Sequence, residues 1–387
     1  MRHFNSLFVI ILTILLITGC EHLETPVDIE KTHEPGLLQK ASNQQDLIPG
    51  QYVIVLSDDI VRVPDVASEM ARTHAATLGF IYRKAIKGFS VHMSAQAVSR
   101  LAGDVRVKYI EQDRWVSVGK PEGKGKPPKP PKPPKGQVIP WGITRVGGHL
   151  DGTGSTAWII DTGIDLDHTD LNVDVKMSKN FVPRGKKSPN DGNGHGTHVA
   201  GTIAAIDNEQ DVVGVAAGAT VVAVRVLGND GSGAYSWVIA GVDYVATEAS
   251  PGDVANMSLT GPPYQALDEA VWKAAEEGII FSLAAGNDGD NAINYSPARL
   301  DHTNVYTVSA INDLDTMPWW SNSGPPVDYA APGVSILSTK NGGGTTTLSG
   351  TSMSAPHVAG ILLLGPVQAD GTAKDDLDEN PDPIAHY

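Results

Sequence analysis

The stretch GTSMSAPHVAG, residues 350–360, sets a bare serine, Ser352, among small residues, with Pro356 four positions on and the apolar run Val358–Leu364 close behind. Ser352 is either a helix cap or a nucleophile, and the surrounding chain has to decide. Small residues and a proline leading into an apolar run predict a buried helix whose first turn holds both Ser352 and Pro356. A proline there removes only an N–H that would have had no intrahelical partner. The N–H of Ser352 would then stand free at the positive end of the helix, facing an oxyanion. Gly365-Pro366 predicts an abrupt stop.

Outward from this helix, residues 137–387 alternate apolar strands (TAWIID, TVVAVRVL, DVANMSL, GIIFSLAAGN, VYTVSAI) with helical stretches, the pattern of a parallel sheet covered on both faces. Such sheets build their sites at strand carboxyl ends, and AWIIDTGID puts Asp161 at one. NDGNGHGTHVAGTIAA puts His195 in a glycine-rich turn that opens a helix. DTG also marks aspartic proteases, but the second such motif they need is missing. His195 and His198 have a metal-like spacing, yet no Glu or third ligand accompanies them. Asp161, His195 and Ser352, spaced 34 and 157 residues apart, supply an orienting acid, a base and a nucleophile. A serine hydroxyl attacks poorly until a neutral imidazole takes its proton. The imidazole in turn needs a carboxylate to fix its tautomer and stabilise its cation. A cap explains Ser352 alone; a triad explains all three residues.

DTGID (161–165), HGTHVAG (195–201), AAGN (284–287) and GTSMSAPHVAG (350–360) resemble, in that order, the subtilisin family of serine proteases, from about Gln137 to Gly360. The acid–histidine–serine order is the family's own, and NYSPAR (294–299) is similar to its proteinase-K-like branch. IPGQYVIVL and GFS, in residues 49–118, resemble the family's inhibitory propeptide. The resemblance implies an α/β, subtilisin-like fold with a mostly parallel sheet and helices on both faces. A small α+β, ferredoxin-like propeptide domain precedes it. Peptide-bond hydrolysis would run through Asp161, His195 and Ser352, with Asn287 as side-chain donor of the oxyanion hole; without the other motifs Asn287 would read as a turn residue. Gly231-Ser232-Gly233 and Ser258-Leu259-Thr260 would flank an extended polypeptide substrate as neighbouring strands. Thr260 departs from the family, where glycine is usual, and its β-branched side chain would narrow the groove. Tyr295 would lie near the base of the pocket for the residue preceding the scissile bond, where a medium apolar residue is expected.

The resemblance also implies structural calcium and no organic cofactor. Side chains of Gln137, Asp170 and Asn208 and carbonyls of Ile206, Gln210 and Val212 would form an all-oxygen cage. The alternative is a plain acidic loop. Asp211 stands where the family often has glycine, which would strain the turn or add charge. A peptide-binding relative without activity would lack one of Asp161, His195, Asn287 or Ser352, and all four are present. After ILLLG the family continues with another helix and strand. Here PVQADGTAKDDLDENPDPIAHY follows, short and acidic, and leaves open what covers that side of the core.

The 387 residues suffice for two domains. Residues 137–387 carry 30 Asp and Glu against 11 Lys and Arg, which argues against a nucleic-acid partner and for a soluble, acidic body; a monomer is expected. The single cysteine closes MRHFNSLFVIILTILLITGC, where Leu7–Thr18 is an apolar core of 12 residues, too short for a stable span but right for a signal peptide. ITGC resembles a bacterial lipobox, so residues 1–19 are expected to be removed and Cys20 lipidated. An outer membrane is favoured where two exist; an ordinary signal peptide is the alternative. A polar spacer (20–48) leads to the propeptide domain (49–118), read as βαββαβ. KPEGKGKPPKPPKPPKG (120–136), with seven prolines and six lysines, closes a linker (119–136). It reads as an extended polyproline spacer rather than a PxxP ligand. The catalytic domain is 137–387. Export, self-cleavage near Val118–Lys120, trimming near Gly136 and release of the enzyme complete the expectation.

Overall fold

Alternating apolar positions along the first domain produce six elements: β1 (Leu47–Leu56), α1 (Val63–Thr73), β2 (Thr77–Tyr82), β3 (Gly88–His92), α2 (Ala95–Leu101) and β4 (Val107–Ser117). The strands form one antiparallel sheet in the order β4-β1-β3-β2, the expected βαββαβ arrangement. Tyr52, Ile54, Leu56, Phe89, Val91 and Ile110 face the two helices and close a small core with Met70 and Leu101. The alternate residues, among them Val53, Val55, Tyr82 and Tyr109, form a second apolar face. That face would be exposed on a free domain of this size. Here it belongs to the same cluster as Val238, Val242, Leu267 and Val271 of the larger domain.

This computed structural model describes residues 37–38, 46–119, 136–185, 187–378 and 380–387. Cys20, the leader, most of the polar spacer and nearly all of the Lys/Pro linker lie outside them. Pro35–Tyr387 is one compact unit.

The larger domain carries β5 (Thr156–Asp161), α3 (His195–Ala204), β6 (Thr220–Arg225), β7 (Ser232–Ala234), α4 (Tyr235–Glu248), β8 (Val254–Met257), α5 (Gln265–Glu276), β9 (Ile280–Ala284), β10 (Val305–Ile311), β11 (Val327–Pro332) and α6 (Thr351–Leu364). The central order β11-β10-β9-β8-β5-β6 is parallel throughout. Its strands read as continuous apolar runs because both faces are buried. Ala157 and Ile159 pack with Val199 and Ile203 of α3, while Trp158 and Ile160 pack with Val238 and Val242 of α4. The acidic C-terminus supplies what the sequence left open. Two further strands, β12 (Gln368–Thr372) and β13 (Pro383–His386), extend the sheet beyond β11. Ile384 and Ala385 are buried there, and buried Asp382 accepts a 2.5 Å hydrogen bond from Ser309.

Candidate active site

Asp161 ends β5, His195 opens α3 and Ser352 is the second residue of α6, so the sheet's carboxyl edge gathers all three. Gly194, at φ +109°, gives α3 a left-handed entry that favours glycine. A Cβ on Gly196 would run into the carbonyl of Gly163, so only glycine lets the helix start lie against the Asp161–Gly163 turn. Asp161 is fully buried, accepts from the Thr162 N–H at 2.6 Å, and has both carboxylate oxygens 2.9 Å from His195 Nδ1. That contact orients the imidazole, leaving Nε2 as the base.

Asp191, which the sequence reading passed over, ties the two segments together. Its carboxylate is buried and accepts from Thr162 Oγ1 (3.0 Å), Gly194 N (2.9 Å), Thr197 N (3.0 Å) and Thr197 Oγ1 (2.6 Å). The signal was an aspartate just ahead of a glycine-rich helix start, the usual place for a capping acid. The metal-like pair comes apart: buried His198 points its Nε2 to the Ile336 carbonyl at 3.0 Å, away from Asp161. Burial lowers its pKa to about 3, so it is a neutral core residue.

Pro356 corrects one expectation. It is the sixth residue of α6, not part of the first turn. Its missing N–H therefore leaves the Ser352 carbonyl without its i+4 partner. Ser258 Oγ fills that vacancy at 2.8 Å and is itself held by Asn256 Nδ2 at 2.8 Å. In return the Ser352 hydroxyl donates to the Ser258 carbonyl at 3.2 Å. Attack requires the hydroxyl proton to be redirected from the Ser258 carbonyl to His195 Nε2.

The tail of the small domain fills the neighbouring groove. β4 pairs antiparallel with β7, matching Trp115 to Ala234, Val116 to Gly233 and Ser117 to Ser232. Val118 N–H donates to the Gly231 carbonyl at 3.0 Å, and Ser117 bridges antiparallel to Thr260 on the other side. Beyond them the Gly119 carbonyl accepts from Asn287 Nδ2 at 2.8 Å. The amide cannot turn away, because Thr351 N and Oγ1 donate to Asn287 Oδ1 at 2.8 and 3.1 Å. Leu259, between Ser258 and Thr260, is buried. Tyr295 packs on Ala285, Ala292 and Ala298, with its hydroxyl 3.4 Å from Asp290.

Of the expected calcium ligands, Gln137 Nε2 donates to the carbonyls of Ile206 (2.8 Å) and Val212 (3.2 Å), and Asn208 Nδ2 donates to Asp170 Oδ1 (2.9 Å). Val212 N–H reaches Asp170 Oδ2 at 3.3 Å, and Gln210 N–H donates to Asn208 Oδ1 at 2.9 Å. Asp170 is buried, which raises its pKa to about 7. The expected strain is present: Asp211 has φ +44° and Glu209 φ +70°. No group of three or more His, Cys, Asp or Glu side chains suited to a metal occurs among the described residues.

Residues 152–366 match the model of the subtilase family, and residues 51–118 match that of the peptidase inhibitor I9 family. The chain belongs to the subtilase family of serine proteases. It is 35% identical to the subtilisin-like serine protease Pen c 1 of Penicillium citrinum, over 85% of this chain and 84% of that one. It is 40% identical to alkaline serine exoprotease A of Vibrio alginolyticus over 76% of this chain, but spans only 54% of that relative. The crystal structure of a cold adapted subtilisin-like serine proteinase matches 58% of this chain and 84% of its own, at 42% identity and TM-score 0.52.

Proposed function

We propose that the chain is an exported endopeptidase that cuts its own precursor between Gly119 and Lys120 and then hydrolyses other polypeptides. One observation carries the reading: the Gly119 carbonyl sits on Asn287 Nδ2 at 2.8 Å, at the end of a strand paired on both sides. That is how a peptide presents the carbonyl about to become an oxyanion. His195 takes the Ser352 proton as Oγ attacks, and Asp161 stabilises the imidazolium. Asn287 Nδ2 and the Ser352 N–H then hold the negative oxygen. His195 returns the proton to the leaving amine, and water repeats the sequence on the acyl-enzyme. Ser352→Ala is expected to leave the precursor uncut. Asn287→Ala is expected to process slowly and to lose about 10²–10³-fold in turnover, the size such a donor has in this family. A Ser352→Ala precursor that still matures would overturn the mechanism.

Calcium fits the donor set at the 206–212 loop. Two carbonyls converge on one point beside the Gln137 amide, and the buried Asp170 carboxylate stands close to it. Hard oxygens of this kind suit calcium, and a half-turn of the Gln137 amide would present its oxygen instead. Asp170, Asn208 and Gln137 would hold the ion with the carbonyls of Ile206, Gln210 and Val212. It would tie residue 137 to the α3 loop. With no intrachain disulfide available, an ion seen only by the folded state adds about 2.7 kcal/mol at a hundredfold excess over Kd. A chelator is expected to lower the Tm of the wild type and to leave that of Asp170→Ala, already low, unchanged. An unshifted wild-type melting curve removes the ion from the account.

A lipobox-like ITGC supports export as a lipoprotein tethered through Cys20, with the propeptide as intramolecular inhibitor and the acidic enzyme a monomer once free. No described helix is long and apolar enough to cross a membrane.

A further inference from the structure

Beside the tail opens a cleft of about 1160 Å³ lined by Trp115, Val182, Arg184, Ser232 and Trp237 among others. None of these side chains takes part in the proton transfers or in the oxyanion hole. Trp115 is the fifth residue counted back from the proposed cut. Its indole meets Trp237 edge-on at 5.8 Å and 89°, and the Arg184 guanidinium lies over it at 5.4 Å. Val182, Ala234 and Trp237 form a buried apolar patch beneath it.

We propose that Trp237, Val182 and Arg184 form a subsite for an aromatic side chain on the fifth residue upstream of the scissile bond. The preferred substrates are then extended segments with an aromatic residue at that place. The inference rests on the protease reading above. Backbone pairing along β7 fixes the register, Ala234 opposite Trp115, whatever the side chains are. Any chain bound in that register brings its own fifth residue to the same spot, so the contact is a property of the groove. Strand pairing supplies affinity without sequence preference, and pockets for individual side chains supply the preference. Trp237 offers an aromatic edge contact and Arg184 a cation over the ring face. All three side chains belong to the catalytic domain and remain after the propeptide leaves. Ile48 and Phe80 of the propeptide also rest on this patch, so the test uses short peptides that lack them.

Processed enzyme would be assayed on two quenched-fluorescence peptides covering residues 112–123 of this chain, one native and one with Trp115→Ala. The native peptide is expected to have a kcat/KM roughly fivefold to tenfold higher, the size of one aromatic and one cation–π contact. In Trp237→Ala and in Arg184→Ala that ratio is expected to fall to intermediate values, and in the double variant to about one. The ratio is internal to each enzyme, so a partly destabilised variant still reports it. Should Trp237→Ala fail to fold, Arg184→Ala on its surface loop decides alone. Equal kcat/KM on both peptides, or a ratio that survives the substitutions, overturns the subsite and leaves the protease intact. Hydrolysis of neither peptide would take down the protease reading, and the subsite with it.

Discussion

At Thr260 a single side chain alters the groove. Its backbone makes the antiparallel bridge to Ser117 that a glycine would also make, and its side chain adds a hydroxyl beside Gly286. A Cβ placed on Gly286 would stand only 3.6 Å from Thr260 Oγ1. The 258–260 and 284–287 segments thus run close together at Thr260, and the residue the chain offers to Asn287 is a glycine. A side chain larger than this glycine before the scissile bond is expected to meet Thr260 in the slot between these segments. Forcing extra carbons into a filled site commonly costs about 1–3 kcal/mol, roughly 5- to 150-fold in rate. Gly119→Phe is expected to stall self-processing by at least that factor, and adding Thr260→Gly to restore it. Normal processing of Gly119→Phe with Thr260 intact would show that Thr260 leaves the slot open.

Among the elements, α4 and α5 are capped from outside their own domain. Their first residues have no side-chain cap of their own. Instead β4 sends two buried carboxylates to them. Asp113 accepts from Ser236 N at 3.1 Å, and Glu111 from Gln265 N (3.0 Å) and Ala266 N (2.9 Å). Helix N-termini favour negative charge, yet burial outweighs those bonds and the nearby Arg114, raising Glu111 to about 7. The ordinary glutamate value is 4.5, so the complex takes up a proton relative to a free propeptide that exposes this carboxyl. The resulting stabilisation is full below pH 4.5 and is lost as pH rises to about 7. Released propeptide is therefore expected to inhibit the enzyme more than tenfold better at pH 5 than at pH 8, with Glu111→Gln flattening that profile. An inhibition constant that tightens with rising pH in the wild type would show that the hydrogen bonds win over burial.

What was legible in the sequence followed from periodicity and burial. β5, β6, β8, β9 and β10 stand out because both of their faces are covered. The triad stands out because its chemistry demands three unlike residue types at sheet and helix ends. β12 and β13 were hidden: edge strands bury few side chains, here Ile384 and Ala385, amid acids that read as solvent-exposed. Asp191 and the Ser258–Ser352 exchange were hidden for another reason. The bond from Thr162 to Asp191 and the Ser258–Ser352 pair join residues distant in sequence and leave no periodic trace; only the aspartate ahead of the glycine-rich helix start gave a local signal.

For the whole molecule, the lipoprotein reading proposed above makes the position of the cut relative to Cys20 decide what would stay at a membrane. Cys20 lies on the propeptide side of Gly119, and the catalytic residues lie on the other. On that reading, cleavage would convert a covalent tether into a non-covalent one. What then holds the enzyme is the shared apolar cluster, the paired tail and polar contacts such as Asp243 with the N–H groups of Lys84 (2.7 Å) and Ala85 (2.9 Å). A lipid-held fragment of about 100 residues would keep the acidic domain at the surface only while those contacts last. A protease that digests its own propeptide ends them. Fractionating cells that make wild type and Ser352→Ala, and sequencing each catalytic chain's N-terminus, tests this directly. The wild-type enzyme is expected to be soluble and to begin between residues 119 and 137, because the Lys/Pro spacer trims back towards Gln137. The Ser352→Ala chain is expected in the membrane fraction, beginning at acylated Cys20. Active wild-type enzyme still beginning at Cys20 would mean that the spacer is a permanent tether, and that proteolysis does not release the enzyme.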